Sequence, residues 1–268
     1  MPAALRVGRC AARVLRSGVR TGYVASTFGH GALLRIDAKA RPVLIVIQAP
    51  EAAFHPWAVE VEGVPAAPVK TPVAAGPERI RWGDVTIELA GARIESLEIE
   101  PYTAGQAHVA RGRISLIEAN AIRNADDSPE DPFKASILRI LDERATFADP
   151  EALARLVGLG GGSTPAGDDV LVGLLAGLRA SEGSLDRRCA LSCAVRIGLE
   201  RTTLASAQML EAALDGAFPE PLRTLVHALG DPTIDDEGIL AEVQAVRRLG
   251  ASSGRCMLLG VREGLSAP

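Results

Sequence analysis

Apolar positions change their spacing along the chain. In the first twenty residues Arg6, Arg9, Arg13, Arg16 and Arg20 recur every three or four positions among Leu5, Val7, Ala11, Ala12, Val14 and Leu15, which predicts a helix with one basic stripe. From Thr21 to about Leu97 the apolar residues come instead in short β-branched or alternating runs, at 23–28, 33–36, 43–47, 58–61, 79–82, 85–89 and 92–99, punctuated by glycine and proline. Gly83-Asp84 sits where a tight turn joins two of these strands. From Arg111 onward the period becomes helical: Ile114 to Ile122, Phe133 to Leu141, a short segment at Leu153 to Val157, then 170–178, 185–199, 203–214, 222–229 and 239–249. Strands in succession followed by helices in succession predict an α+β fold. The expected organisation is a mostly antiparallel β domain or small barrel over residues 1–110, then a helical domain over 111–268.

Composition narrows the function. A chain of 268 residues with 47% hydrophobic content can bury a substantial core. Its net charge of −4 lacks the basic excess of a general nucleic-acid binder. The longest apolar run, 170–178, falls far short of the roughly 20 residues that cross a bilayer. Neither nucleic acid nor membrane is therefore expected as a partner. Cys10, Cys189, Cys193 and Cys256 show no metal-ligand spacing with the histidines. Cys189 and Cys193 fall one helical turn apart, too far for a relaxed disulfide, so reduced thiols and a cytoplasmic location are expected. His30, His55, Tyr102 and His108 read as surface or core residues without a partnered carboxylate, the last two in a connector after the final strand. Asp126 and Asp127 lie in a polar, proline-bearing stretch, 124–132, and read as a solvated loop.

The chemistry concentrates in Gly158-Leu-Gly-Gly-Gly-Ser-Thr-Pro-Ala-Gly-Asp-Asp169, which opens directly into the apolar run 170–178. Gly160, Gly161 and Gly162 let a ligand approach the main chain closely. Thr164 before Pro165 reads as a helix cap with proline at the first helical position, while Asp168 serves equally as the cap of a helix beginning one turn later. Either way a glycine loop feeds a helix N-terminus, which attracts phosphate or carboxylate. Asp168 and Asp169 offer the opposite use, oxygen ligands for a hard cation, with magnesium the candidate. Neighbouring helical residues point about 100° apart, so the two carboxylates are assigned different roles. The run 170–178 is apolar all round, which predicts a central buried helix holding the loop rigidly.

This string, continued by Arg201-Thr-Thr-Leu-Ala-Ser206, by Leu210-x-x-Ala213-x-x-Gly216 and by Gly250-x-x-Ser253-Gly254 with Leu258-x-Gly260, resembles the signature of a bacterial family that includes the AllH-type subunit of oxamate carbamoyltransferase. The resemblance covers about residues 155–262. It implies a part in interconverting oxalurate and phosphate with oxamate and carbamoyl phosphate, in a complex with other subunits encoded nearby. It also tips Thr203 and Ser206, in the hydroxyl-rich turn 202–206, toward contact with the ligand. Where that family commonly carries proline and leucine in the loop, this chain has Gly161 and Ser163; where it commonly carries histidine and aspartate, this chain has Ala251 and Cys256.

An internal echo adds a second wall. Gly167-Asp-Asp-Val-Leu-Val-Gly173 and Gly254-Arg-Cys-Met-Leu-Leu-Gly260 share the frame Gly-x-x-x-Leu-x-Gly, so both read as loop-to-helix starts facing one pocket, with Arg255 adding a fork suited to phosphate or carboxylate. The expected substrate-binding residues are Gly160, Gly161, Gly162, Ser163, Thr164, Gly167, Thr203, Ser206, Ser253, Gly254 and Arg255, and the expected catalytic pair is Asp168 and Asp169. The leading expectation is a component of a carbamoyltransferase acting on a small anion, working with other subunits. A noncatalytic metabolite-binding or scaffolding subunit is the second reading, and metal-assisted hydrolysis at the Asp pair the third.

Overall fold

Where the sequence alternates, the chain runs as strand. The computed structural model describes residues 2–29, 31–66, 68–121, 136–137, 139–141, 149–181 and 185–266, and it divides into two compact units, Met1–Leu97 and Glu98–Pro268. The architecture is α+β, with the strands in the first unit and most helices in the second. His30, Asp126 and Asp127, along with Ile122, Phe133 and Leu138 of the expected helices, lie outside the described residues.

The first unit is a nine-stranded sheet. Its strands are β1 (Ala4–Gly8), β2 (Arg20–Phe28), β3 (Gly31–Ile36), β4 (Val43–Gln48), β5 (Ala58–Val61), β6 (Pro72–Ala75), β7 (Arg79–Trp82), β8 (Val85–Glu88) and β9 (Arg93–Glu95). They lie in the order β8-β7-β6-β2-β3-β4-β5-β1-β9. Only β4–β5 and β1–β9 pair in parallel among the named neighbours; the others are antiparallel. A bridge from Ala3, just ahead of β1, to Glu88 in β8 brings opposite ends of the order together, so the sheet curls into a half-barrel. Val24, Leu34, Ile36, Ile45, Ile47, Val59, Ile80 and Ile87 fill one side of it, all fully or nearly fully buried. Gly83, at φ +51°, makes the turn between β7 and β8.

The amino-terminal stretch departs from the expected single basic helix. Residues 4–8 form β1, and only Arg9–Arg16 form a helix, α1, which buries Ala11, Ala12 and Leu15 in the same core. Gly8 marks the break: a Cβ there would fall within 3.0 Å of the Pro56 carbonyl, so the strand can pass this close only as glycine. Arg6 consequently leaves the basic stripe. It forms a two-pronged ion pair with the buried Glu60, at 3.0 and 2.6 Å, and stacks over Phe54 at 4.2 Å. β6 was not expected either, because Pro72-Val-Ala-Ala carries a single β-branched residue. His55 accepts a hydrogen bond from the Trp57 N–H at 3.3 Å, and burial of its ring pushes its pKa down to about 4. It is a neutral fold-holding residue.

The second unit is helical: α2 (Ala104–Gly112), α3 (Ile114–Ala121), α4 (Pro150–Ala154), α5 (Ala166–Ala180), α6 (Leu185–Gly198), α7 (Leu204–Leu214), α8 (Glu220–Gly230), α9 (Asp236–Arg247) and α10 (Ser253–Ser266). Residues 136–137 and 139–141 are helical too, with Ile137 and Ile140 buried. His108 lies exposed within α2 and not in a connector. Tyr102 is buried; its hydroxyl donates to the Val226 carbonyl, and burial raises its pKa. α5 occupies the centre, as its all-apolar run predicts: every residue from Ala166 to Leu178 is buried.

Candidate anion site at two helix N-termini

Two helices with glycine at matching places can approach until their backbones touch. Gly173 lies against Met257 and Gly177 against Val261, while Gly260 lies against Val170 and Gly264 against Leu174; a Cβ on any of the four would come within 3.0 Å of a facing backbone atom. The residue numbers rise together in both helices, so α5 and α10 run parallel. Their N-termini therefore start side by side, joined by a 3.0 Å hydrogen bond between the Thr164 and Ser253 hydroxyl oxygens. Helix dipoles in parallel place two positive ends together, which favours negative charge at that point. The sequence frame shared by the two segments is thus a packing frame as well.

The loop ahead of α5 is pinned at its edges and open in its middle. Gly158, Gly160 and Gly162 adopt φ of +78°, +120° and +88°, values that favour glycine. The Gly158 N–H donates to Asp168 Oδ1 at 2.9 Å, and the Gly167 N–H donates to the Leu159 carbonyl at 2.8 Å. From the other side, the Thr203 hydroxyl donates to the Ser163 carbonyl at 2.6 Å. Between these anchors Gly161, Gly162 and Ser163 are exposed. The backbone N–H groups of Gly160, Gly161, Gly162 and Ser163 have no hydrogen-bond partner among the described residues. Donors that are held in place yet unsatisfied are what an anion requires.

The N-cap differs from both sequence expectations. Pro165 is the cap and Ala166 the first helical residue, and no side chain caps the end. Thr164 is engaged with Ser253, and Asp168 points back to the loop.

The two carboxylates do take different roles. Asp168 is buried, with Gly158 N–H on one oxygen and the Thr202 hydroxyl on the other. Burial raises its pKa against these hydrogen bonds and one from Ser206. It is a tie between the glycine loop and the turn before α7. Asp169 is 3% exposed, and its Oδ2 is a buried oxygen without a partner. Burial, opposed by a hydrogen bond from Ser253, reinforced by the charge of Asp168 and opposed again by Thr164, pushes its carboxyl up to about 7.

Magnesium is commonly held by only one or two carboxylates, with water and substrate oxygens completing its shell. Both Asp168 oxygens are already taken by N–H and O–H donors, and among the described residues no group of three or more acidic, histidine or cysteine side chains gathers. Asp169 Oδ2 is a buried carboxylate oxygen beside this loop that has no partner among the described residues.

The remaining expected residues divide. Thr203 caps α7, accepting from the Ser206 N–H at 3.1 Å, and Ser206 is buried beneath it. Gly167 and Gly254 serve close packing: a Cβ on the first would press on the Leu156 carbonyl, on the second the Val246 carbonyl. Arg255 lies half-buried in the first turn of α10, one residue before Cys256, and Ala251 is exposed in the preceding turn. Sequence reasoning missed Gly158 and Thr202 as partners of Asp168. The signal for Thr202 was its place beside Thr203 in the hydroxyl-rich turn.

Residues 156–265 match the family model described as oxamate carbamoyltransferase subunit AllH. That segment runs from just before the glycine loop through most of α10, so it contains all the residues of the site. The family resembled by the loop motif is thus the one matched. No solved structure matches the chain. Among the described residues no helix is long and apolar enough to cross a membrane.

Proposed function

We propose that this chain is a subunit of an oxamate carbamoyltransferase, holding a small anionic substrate on the glycine loop. The observation that carries the reading is Asp169: a buried carboxyl with one unpartnered oxygen, beside the Thr164–Ser253 hydroxyl pair, where two helix N-termini meet. The N–H groups of Gly160 to Ser163 and the two helix ends hold the anion's oxygens, and would stabilise negative charge that grows on them during carbamoyl transfer. Asp169 is the ionisable group placed to exchange a proton with the ligand. Asp168, Thr202 and Thr203 keep the loop in register. The reaction class proposed, carbamoyl transfer involving oxamate, is supported by the match of residues 156–265 to the family described as oxamate carbamoyltransferase subunit AllH.

The exposure of Gly161, Gly162 and Ser163 favours a second reading, in which the chain binds a metabolite and a partner subunit completes the active site over the open loop. Phosphate release from carbamoyl phosphate in the presence of oxamate, measured for the chain alone and with the products of neighbouring genes, separates the two. Turnover by the chain alone shows that its own site suffices for the chemistry; turnover only in the mixture shows that a partner subunit completes the site, as in the second reading. No turnover in either, from folded protein, removes the carbamoyltransferase assignment.

A further inference from the structure

We propose that Cys189 and Cys193, on the outer face of α6, form a two-thiolate site for a soft cation that takes two ligands in line, with cuprous ion the one that fits. Cysteine is among the residue types most often buried, yet both of these lie exposed on α6 as free thiols. Helical residues advance by about 100° each, so positions four apart fall within about 40° of one another. Cys189 and Cys193 therefore share one face, while the residues that α6 buries, Leu191, Ala194, Val195 and Gly198, occupy the opposite one. Leu185 and Ile197 continue the row by one turn at either end and are 61% and 57% exposed. The pair of thiols thus sits on a solvent-facing ridge between two apolar side chains. It lies on a different helix from the glycine loop and is independent of the anion reading.

Distance decides what the two sulfurs can do. Helical neighbours at this spacing have Cβ atoms about 5–6 Å apart, whereas a disulfide needs about 3.8 Å, so the thiols cannot close on each other while the helix stays wound. An ion between them removes the difficulty. Taking the zinc–sulfur length of about 2.3 Å as a guide, two sulfurs on one ion stand roughly 4–4.6 Å apart, a span that side chains leaning together from these Cβ positions cover. Zinc itself takes four ligands and hard cations take oxygens; among the described residues no group of three or more histidine, cysteine or acidic side chains gathers here. Soft thiolates select monovalent copper, which two of them satisfy in a straight line. Loading transfers no electrons. Two S–H bonds release two protons, two sulfur–copper bonds form, copper stays monovalent and the complex carries one negative charge. α6 bears Arg187, Arg188 and Arg196 against Asp186 alone, surroundings that favour that charge.

The test is a titration of the full chain with cuprous ion under nitrogen, against a coloured copper chelator, with native mass spectrometry counting the copper on each chain. The expected result is one copper per monomer, not displaced by an equal concentration of zinc. Cys189→Ser/Cys193→Ser should lose it. Asp186→Cys/Cys189→Ser is the sharper control, because two thiols remain at exposed positions of α6 but stand seven residues, about 10 Å of helix, apart. Its cuprous affinity should fall about a hundredfold or more, the gain that a second tethered ligand brings. Should either variant fail to fold, copper-edge X-ray absorption of the loaded wild-type protein decides: two sulfur neighbours support the site, and oxygen or nitrogen neighbours overturn it. Undiminished affinity in Asp186→Cys/Cys189→Ser overturns the proposal, as does copper bound only between two chains or zinc held as tightly as copper.

Discussion

The hydroxyl oxygens of Thr164 and Ser253 stand 3.0 Å apart, though 89 residues separate them in sequence. The contact joins the starts of two parallel helices, and both hydroxyls lie where they favour the ionised form of Asp169.

Ser253→Ala should therefore alter Asp169 more than it alters the fold. Removing one hydrogen bond costs about 1 kcal/mol of stability. Because the Ser253 hydroxyl favours the ionised carboxylate, its loss should move the Asp169 titration above its wild-type position near 7. A carboxyl-detected NMR titration of both proteins measures the shift; a downward movement would show that Ser253 does not support the charge.

Asp168→Ala should be the most damaging of the site substitutions to stability. It strands the Gly158 N–H and the Thr202 hydroxyl in a buried place, at a cost on the order of 3 kcal/mol. Urea denaturation should show a lower midpoint with an unchanged slope. A midpoint equal to the wild type would mean that Asp168 does not hold the loop.

The pH dependence of stability has an unusual sign at Asp169. Its folded pKa, about 7, lies above an aspartate's ordinary value of 3.8, so the folded state binds the proton more tightly than the unfolded one. The stability this contributes is complete below about pH 4 and is lost as pH rises through about 7. Asp169→Asn should thus be more stable than wild type above neutrality, by on the order of 2–4 kcal/mol, and the difference should vanish in acid. Thermal unfolding of both proteins at about pH 4 and about pH 9 tests this.

The glycines sort by what surrounds them. Gly167→Ala and Gly173→Ala would drive a Cβ into a facing backbone carbonyl, so each should destabilise by about 1–3 kcal/mol or more. Gly161 has open space around its missing Cβ and no left-handed φ, so Gly161→Ala should leave the unfolding midpoint near that of the wild type. Equal losses at all three positions would contradict the assignment of packing and loop roles.

Much of this was legible in the chain. The strand at 79–82 coincides with β7, where exposed and buried residues alternate without interruption, the run 58–61 coincides with the fully buried β5, and the all-apolar run 170–178 does mark the central helix. The arginine spacing misled at the start because Arg6 continues the three-and-four rhythm on a strand, where Glu60 and Phe54 hold it. Gly8 was the local clue. At the site, the shared Gly-x-x-x-Leu-x-Gly frame pointed to two related helix starts, but their parallel contact depends on tertiary packing. For the same reason a local cap rule assigned Thr164 to the helix end, when its hydroxyl had a partner on a distant segment.

The most direct test of the central claim is oxamate binding to the purified chain, measured by calorimetry for wild type, for the Thr164→Val/Ser253→Ala double variant and for Arg16→Ala on α1. The account predicts that wild type and Arg16→Ala bind oxamate alike, and that the double variant, still folded, binds at least about tenfold more weakly, the loss of one or two hydrogen bonds. Equal binding by all three would place the anion elsewhere and contradict the assignment of this loop as the site.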